Sequence, residues 1–394
     1  MKIPKLLNRL WLIVISSANT LVAPILNVAV SLLVVRLGSV EIWGEFVRVL
    51  IIVNLANHLI YWGNREYLLR EYSRMPSGVS NIWQQNVSSR LVLLAPILLL
   101  VCLFPLSLNS ILYISLWIGA AFLSQSFEAI IIFYRKFTKS LLIEIIALIA
   151  ILSMIFWRHE HLSTDTVIAA FALGSTLKAI LLTILFRKSV LKDLRYRFQK
   201  SELTASIPFL ILGLTGMLQS RTDLYIVSGF LESSSVGRYQ ITINILIYLQ
   251  TLAAFILQPF LKNIFRLPAE ALYKLTARLT LLGCVILALA VPTVAFAIAA
   301  LYQFELSLAQ LIWAVLFVLP IYAYLPIIYK LYREEKTKKV VIINTLGILM
   351  NALLTLFLVQ TYHITGALAG SALAQTTMAI AYWTSERTSV EEKK

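Results

Sequence analysis

The sequence predicts an all-α, polytopic membrane protein with about twelve transmembrane helices, and three observations predict it. Hydrophobic residues make up 59% of the chain and charged residues 13%, with a mean hydropathy of +0.83. Soluble domains are about half apolar and about a quarter charged. The apolar residues come in long blocks, and a block of about 18 or more is the length that crosses a bilayer as a helix. The basic residues gather in alternate connections between those blocks, as they do when one side of a membrane is cytoplasmic.

The predicted spans run roughly over 10–35, 42–63, 87–107, 110–134, 140–157, 165–186, 205–231, 236–261, 275–302, 306–332, 339–360 and 364–384. Span one follows Lys2, Lys5 and Arg9. Its apolar run is too long for a signal-peptide core and no cleavage site follows, so it is expected to be retained. Span five is short, and spans nine and ten are long enough to tilt.

One set of connections holds Arg65, Arg70, Arg74 and Arg90, then Arg135, Lys136 and Lys139, then the run from Arg187 to Lys200. It continues with Lys262, Arg266, Lys274 and Arg278, with Lys330 to Lys339, and with the basic residues of both termini. The other set holds only Arg36, Arg158 and Arg238. That bias places both termini in the cytoplasm. It also accounts for the net charge of +15. No basic cluster is interleaved with aromatic residues as a nucleic-acid groove would require, so no nucleic-acid partner is expected.

The longest cytoplasmic connections are expected at 64–86 and 187–204. The second divides the chain into residues 1–200 and 201–394, each with six spans and the same orientation. The halves carry a weak repeat. RLGSVEIWGEF follows span one, with Gly44 two residues before Phe46, and FLESSSVGRYQ follows span seven, with Gly237 two residues before Tyr239. Paired turns in two halves point to an internally duplicated transporter.

Enzyme chemistry finds little support. There is no Walker A motif and no metal-type cluster. His159-Glu160-His161 reads as a polar outer loop, and Cys102 and Cys284 fall inside apolar spans, away from any disulfide or metal pattern. A membrane glycan polymerase or ligase usually carries a large outer loop, and every outer loop here is short.

Asp223, followed by Val236-Gly237-Arg238-Tyr239, resembles the span seven–eight turn of the Wzx-like O-antigen and polysaccharide flippases of the MOP (multidrug/oligosaccharidyl-lipid/polysaccharide) exporter superfamily. Arg36-Leu37-Gly38 with Trp43-Gly44-Glu45-Phe46 is similar to that family's first turn, and Gly63-Asn64-Arg65-Glu66 to the end of its span two. The chain departs in Trp43, where an acidic residue or tyrosine is commoner. It also lacks the two extra spans of the lipid II flippase branch. The resemblance implies two six-helix lobes around a central cavity (MOP/MATE-like), alternating access and a polyprenyl-pyrophosphate-linked glycan as cargo. It also implies a bacterial inner membrane and neighbours such as glycosyltransferases and a polysaccharide polymerase. A multidrug or cation exporter of the same superfamily is the alternative.

The charges inside the spans are Glu45, Arg48, Glu128, Glu144, Lys178, Arg221 and Asp223. Each costs about 2.5–3.5 kcal/mol at the bilayer centre on insertion scales, so such residues face water or protein. Glu144, near the end of span five, is expected to snorkel. Arg221 and Asp223 lie about 200° apart on a helix and cannot pair on one face. Arg221 is expected to face the cavity, and Asp223 to take a cation such as Arg238 or Arg48. Glu128 and Asp223 are candidates for coupling to H+ or Na+.

Polar stripes mark further candidates. They are Ser16, Asn19, Thr20, Asn27 and Ser31 in span one, and Asn54, Asn57, His58 and Tyr61 in span two. Span eight has Gln240, Asn244, Thr251 and Gln258, and span eleven has Asn344, Asn351 and Thr355 beside Gly347. Small polar residues also glue membrane helices, but the bulky amides of spans two and eight suit a cavity wall. Arg48, Lys178 and Arg221 are the cations expected to take a diphosphate. Asn54, Asn57, His58, Gln240 and Asn244 are expected to bind the cargo as well, asparagine and glutamine being suited to its sugar. Moving two negative charges outward across an inside-negative potential of 100 mV yields about 4–5 kcal/mol. No cofactor is expected.

Overall fold

The computed structural model describes residues 26–190, 195–257, 264 and 267–391. Ser16, Asn19 and Thr20 of span one, Gln258 of span eight and the basic residues at 2, 5, 9, 192, 262, 266, 393 and 394 lie outside the described residues. Every described element is a helix. The chain forms two compact units, Met1–Leu214 and Thr215–Lys394.

In the first unit, α1 (Leu26–Leu37) is the end of span one. Gly38 and Ser39 turn the chain into α2 (Val40–Tyr61), where the Ser39 hydroxyl accepts the Ile42 amide at 3.2 Å and caps the helix. Helix α3 (Asn64–Arg74) follows a break, and α4 (Val79–Val101) follows a 3₁₀ turn. Next come α5 (Leu108–Gln125), α6 (Glu128–Phe133), α7 (Phe137–Trp157) and α8 (Thr164–Val190). Helix α9 (Lys200–Phe230) runs on into the second unit. That unit continues with α10 (Ser233–Leu257), α11 (Ala269–Tyr302), α12 (Leu308–Arg333) and α13 (Thr337–Glu391).

Ten of these helices are long and apolar enough to cross a membrane. The last of them, Thr337–Ser385, has 49 residues. At about 1.5 Å per residue it is far longer than a hydrocarbon core of about 30 Å. His363, at φ 51° and ψ −130°, breaks it into two arms where spans eleven and twelve were expected to meet. The ten helices thus carry spans two to twelve. Large apolar side chains face outward, among them Leu289 (70% exposed) and Phe296 (74%). Exposed apolar surface on that scale fits lipid contact.

Three boundaries differ from the sequence expectation. The connection expected over 64–86 is mostly helical, and span three begins at Val79 rather than 87. Its first turns are polar, but the polar groups are used inside the protein. Gln84 Nε2 donates to the Val190 carbonyl at 3.0 Å, and Ser89 Oγ to the Gln199 carbonyl at 3.1 Å. The Gln199 amide returns a bond to Ser89 at 2.9 Å. The backbone at both ends of the α8–α9 connection, at Val190 and Gln199, finds its partners on α4. Span four breaks between α5 and α6 at Ser126 and Phe127.

The repeated turns lie at equivalent places. Gly44 is the fifth residue of α2 and Gly237 the fifth of α10. Phe46 and Tyr239, two residues on, are fully buried. Trp43 joins Phe46, Trp117 and Phe171 in an aromatic cluster with ring centroids 4.8–6.1 Å apart. In lipid there is no hydrophobic drive between helices, so such packing and interhelical hydrogen bonds hold them together.

Within the second unit, α12 packs against α10, α11 and α13. Tyr324 and Tyr382 stack at 5.1 Å and donate to Gln375 (2.9 Å) and Asn344 (2.7 Å). Gly347 sits against Met378, where a Cβ would lie 2.2 Å from the sulfur, so this stripe glycine serves close helix approach.

Candidate functional site

Two polar sites lie within apolar helices, one in each unit. The first is built on helix breaks. Helix α2 ends where Trp62 and Gly63 take left-handed backbone, at φ 50° and 66°. A Cβ on Gly63 would meet the Phe209 Cβ at 2.4 Å. Glycine therefore serves both the turn and the close approach of α9. The second break lies between α5 and α6.

Arg90 ties the two breaks together. It is 0% exposed. Its Nε donates to Asn86 Oδ1 at 2.8 Å, Nη1 to the Ile60 carbonyl at 3.2 Å and Nη2 to Ser126 Oγ at 2.8 Å. Its guanidinium lies over the Phe122 ring at 5.2 Å. Trp83 Nε1 donates to the Ser126 carbonyl at 2.8 Å, and Asn64 Nδ2 to the Gln125 carbonyl at 3.2 Å. The sequence reading put Arg90 in a cytoplasmic connection, which the structure corrects. The signal that could have found it is spacing: Trp83, Asn86 and Arg90 fall on one helical face.

Above this framework lies a cavity of about 420 Å³. Asn57, His58 and Tyr61 of α2, Arg65 and Glu66 of α3, Gln125 and Glu128 form its polar wall. Phe209, Leu210 and Leu212 of α9 form its apolar wall. Arg65 spends its fork on Glu66, with Nη2 at 2.7 Å and Nε at 2.9 Å from Oε1. The Tyr61 hydroxyl accepts the Arg65 amide at 3.2 Å and donates to Glu128 Oε2 at 3.3 Å. Tyr61 is the only hydrogen-bond partner of Glu128 among the described residues.

Of the residues expected in span two, Asn57, His58 and Tyr61 meet in this cavity with Glu128. Arg48, half-buried, and Asn54, exposed, lie on α2 outside its lining. Lys178 forms an ion pair with Glu144. Glu144 therefore pairs across α7 and α8 instead of snorkelling, and Lys178 is already matched to a carboxylate. Arg65, Glu66 and Gln125 are cavity residues that no polar stripe in the sequence marks as ligand contacts.

The second site centres on Asp223 of α9, 2% exposed. Its Oδ2 accepts the Tyr239 hydroxyl and, at 3.0 Å, that of Ser371. Its Oδ1 accepts the Leu224 amide at 2.9 Å. Ser371 also reaches Asn351 Oδ1 at 3.2 Å, which accepts Thr355 Oγ1 at 2.9 Å. Asp223 therefore takes hydroxyl donors, not the expected Arg238. Arg238 is exposed and lies over the Phe304 ring at 5.7 Å. The reason is direction: Arg238 and Tyr239 are neighbours about 100° apart on α10, and the buried face holds the tyrosine. Chemically the cluster is an all-oxygen set with one carboxylate, suited to a proton or a hard cation.

Arg221, on the other side of α9, donates from Nη1 to Asn244 Oδ1 at 2.5 Å. Two expected cargo residues thus meet, and Arg221 makes no ion pair among the described residues. Gln240 is buried (2% exposed) and Thr251 half-buried. Ser31 is buried and donates to the Val28 carbonyl at 3.0 Å. Among the described residues no group of three or more His, Cys, Asp or Glu could hold a metal ion, and His159-Glu160-His161 is an exposed 3₁₀ turn.

No family model matches the chain, and no curated protein matches it in sequence. Solved structures do. A lipid II flippase, MurJ, in an inward closed conformation superposes with a TM-score of 0.73 at 17% identity, covering 95% of this chain and 87% of that one. The chain has the fold of the MOP-superfamily transporters. An outward-facing multidrug resistance MATE transporter of that superfamily matches with a TM-score of 0.58 at 15% identity, covering 97% of this chain and 95% of that chain. A MOP transporter from Pyrococcus furiosus, described as having a binding pocket of reverse polarity, matches at 0.56 and 13% over the same shares. At these identities the likeness shows the fold alone. Here the MOP fold carries the cavity of the first unit and the Asp223 cluster of the second.

Proposed function

We propose that the protein is a flippase that moves a polyprenyl-pyrophosphate-linked oligosaccharide, an O-antigen or similar surface-polysaccharide repeat unit, from the cytoplasmic to the outer leaflet. Residues 1–200 and 201–394 act as two lobes that alternate access to the cargo. The membrane is the bacterial inner membrane, with both termini cytoplasmic. Glycosyltransferases supply the cargo and a polymerase consumes it.

The observation that carries this reading is Arg221. It is a half-buried cation in an apolar helix, held by a neutral amide and not by a carboxylate. Such a charge faces protein or a water-filled cavity. Asp223 lies within electrostatic range of it but spends its oxygens on Tyr239, Ser371 and Leu224, and a diphosphate fits a guanidinium fork. The shared fold of a lipid II flippase supports a lipid-linked cargo. Asp223, amid hydroxyls and Asn351, is the residue we assign to ion coupling. A multidrug or cation exporter is favoured by one feature, the Glu128 carboxylate in the cavity of the first unit.

The test is complementation. The gene is deleted in its host, surface glycan is measured, and wild type, Arg221→Lys or Arg221→Ala is returned at matched membrane levels. Arg221→Ala is expected to lose at least about tenfold in surface glycan, the effect of one charged hydrogen-bonded contact, and to accumulate lipid-linked intermediate. Arg221→Lys keeps the charge and should retain part of the export. Full export by Arg221→Ala would remove the arginine from the cargo path. An unchanged surface glycan in the deletion strain would reject the glycan-flippase reading itself.

A further inference from the structure

We propose that the cavity of the first unit receives the hydrogen-bond-donor groups of the cargo, its sugar hydroxyls and N–H groups, and not its diphosphate. This rests on the flippase reading and assigns the two chemical ends of the cargo to different places.

Charge is the first reason. The wall carries Glu66 and Glu128 against Arg65, and both Arg65 contacts in its fork are taken by Glu66 at 2.7 and 2.9 Å. A diphosphate brought here meets the carboxylates of Glu66 and Glu128 directly, and like charges repel more strongly where water is sparse. The neighbouring cations are already engaged, Arg90 by Asn86, Ile60 and Ser126 and Lys178 by Glu144.

Hydrogen-bond capacity is the second. A carboxylate accepts about four hydrogen bonds, and Glu128 receives one, from Tyr61. Tyr61 commits its proton to that bond, because its oxygen already accepts the Arg65 amide. The side-chain oxygens of Asn57 and Gln125 are buried and have no partner. Each lacks one donor, and both residues line the cavity. The wall therefore seeks donors, and phosphate oxygens only accept. A sugar offers a rim of O–H donors.

Shape is the third. Phe209, Leu210 and Leu212 join the polar residues in the lining, giving apolar surface for the C–H face of a pyranose beside acceptors for its hydroxyls. The volume of about 420 Å³ falls among small-molecule sites, about 300–1,000 Å³. The site also lies at the α2–α3 break, the end of span two that the charge pattern places at the cytoplasm, where the cargo is made.

The test is a binding titration of the full-length protein in nanodiscs with three probes. These are a short-chain polyprenyl diphosphate bearing one N-acetylhexosamine, the same lipid diphosphate without sugar, and tetraphenylphosphonium. Wild type is expected to bind the glycosylated lipid at least about tenfold more tightly than the sugar-free one, the yield of one or two net hydrogen bonds. Gln125→Leu should erase that preference while its affinity for the sugar-free lipid stays within about twofold of wild type. Gln125→Glu retains an acceptor and should keep the preference. Unchanged affinity for the sugar-free lipid also shows that the variants are folded. Equal loss of both lipids in Gln125→Leu would overturn the proposal and make the cavity a diphosphate site. Equal binding of both lipids by wild type would overturn it while leaving the flippase reading intact. Binding of tetraphenylphosphonium alone, lost in Glu128→Gln, would overturn both.

Discussion

Arg90→Leu is expected to cost the protein about 3–5 kcal/mol, the scale for removing one member of a buried charged network. The change removes the guanidinium donor taken by the Ile60 carbonyl, the Asn86 amide oxygen and the Ser126 hydroxyl, of which Ser126 keeps its bond to the Phe122 carbonyl. The residue is 0% exposed, so bulk water does not reach those groups. The breaks after α2 and between α5 and α6 would then lose the link that sets their spacing. Membrane level and melting temperature in detergent should fall together, and surface glycan with them. Arg90→Lys offers one compact charge in place of a three-way fork and should recover only part of the melting temperature. A wild-type melting temperature for Arg90→Leu would show that the breaks are held by other contacts, such as Trp83 to Ser126 and Asn64 to Gln125.

Asp223→Asn is expected to leave the fold intact and to reduce export at least about tenfold, the loss assigned to one charged contact. Asparagine has nearly the same shape, its Oδ1 can keep the Leu224 amide, and the hydroxyls of Tyr239 and Ser371 can turn to accept from its amide. What disappears is the negative charge that a transported cation or proton would neutralise. Asp223→Leu, by contrast, strands the buried Tyr239 hydroxyl in an apolar interior, at about 1–3 kcal/mol, and should lower the melting temperature. Paired measurement of membrane level and surface glycan separates the roles. Normal export by Asp223→Asn would make the carboxylate a packing anchor with no part in coupling.

Much of the fold was legible in the sequence because hydropathy reports what hydrocarbon demands. The presence of spans five to twelve, the break at 361–363 and the equivalent glycines of α2 and α10 follow from apolar length and turn residues, whereas spans seven and nine begin earlier than expected, at Lys200 and Ala269. Breaks inside spans were not legible. Hydropathy is blind to backbone angles, so Ser126-Phe127 passed unnoticed within the apolar run of span four, whereas the Trp62-Gly63 turn falls where span two was expected to end. Polar residues that serve internal backbone were misread for the same reason. Gln84, Ser89 and Arg90 look like loop residues unless their distant partners are known.

Parts of the sites were visible as intramembrane polarity, which named Asn57, His58, Glu128, Arg221, Asp223 and Asn244. Their partners were not visible. Ser371 lies 148 residues from Asp223, and Lys178 finds Glu144 on a neighbouring helix. No local spacing encodes such pairs. Arg221 with Asn244 is an intermediate case, since both were named but their contact was not.

The most direct measurement is transport by the purified wild-type protein in proteoliposomes with an imposed inside-negative potential. A polyprenyl-diphosphate glycan and a lipophilic cationic dye are supplied in separate vesicles, and the appearance of each in the opposite leaflet or compartment is followed. Protein-dependent movement of the glycan lipid, quickened by the potential and slowed in Arg221→Ala, is the result expected of a glycan flippase. Movement of the cationic dye alone, with the glycan lipid no faster than in empty vesicles, would contradict it.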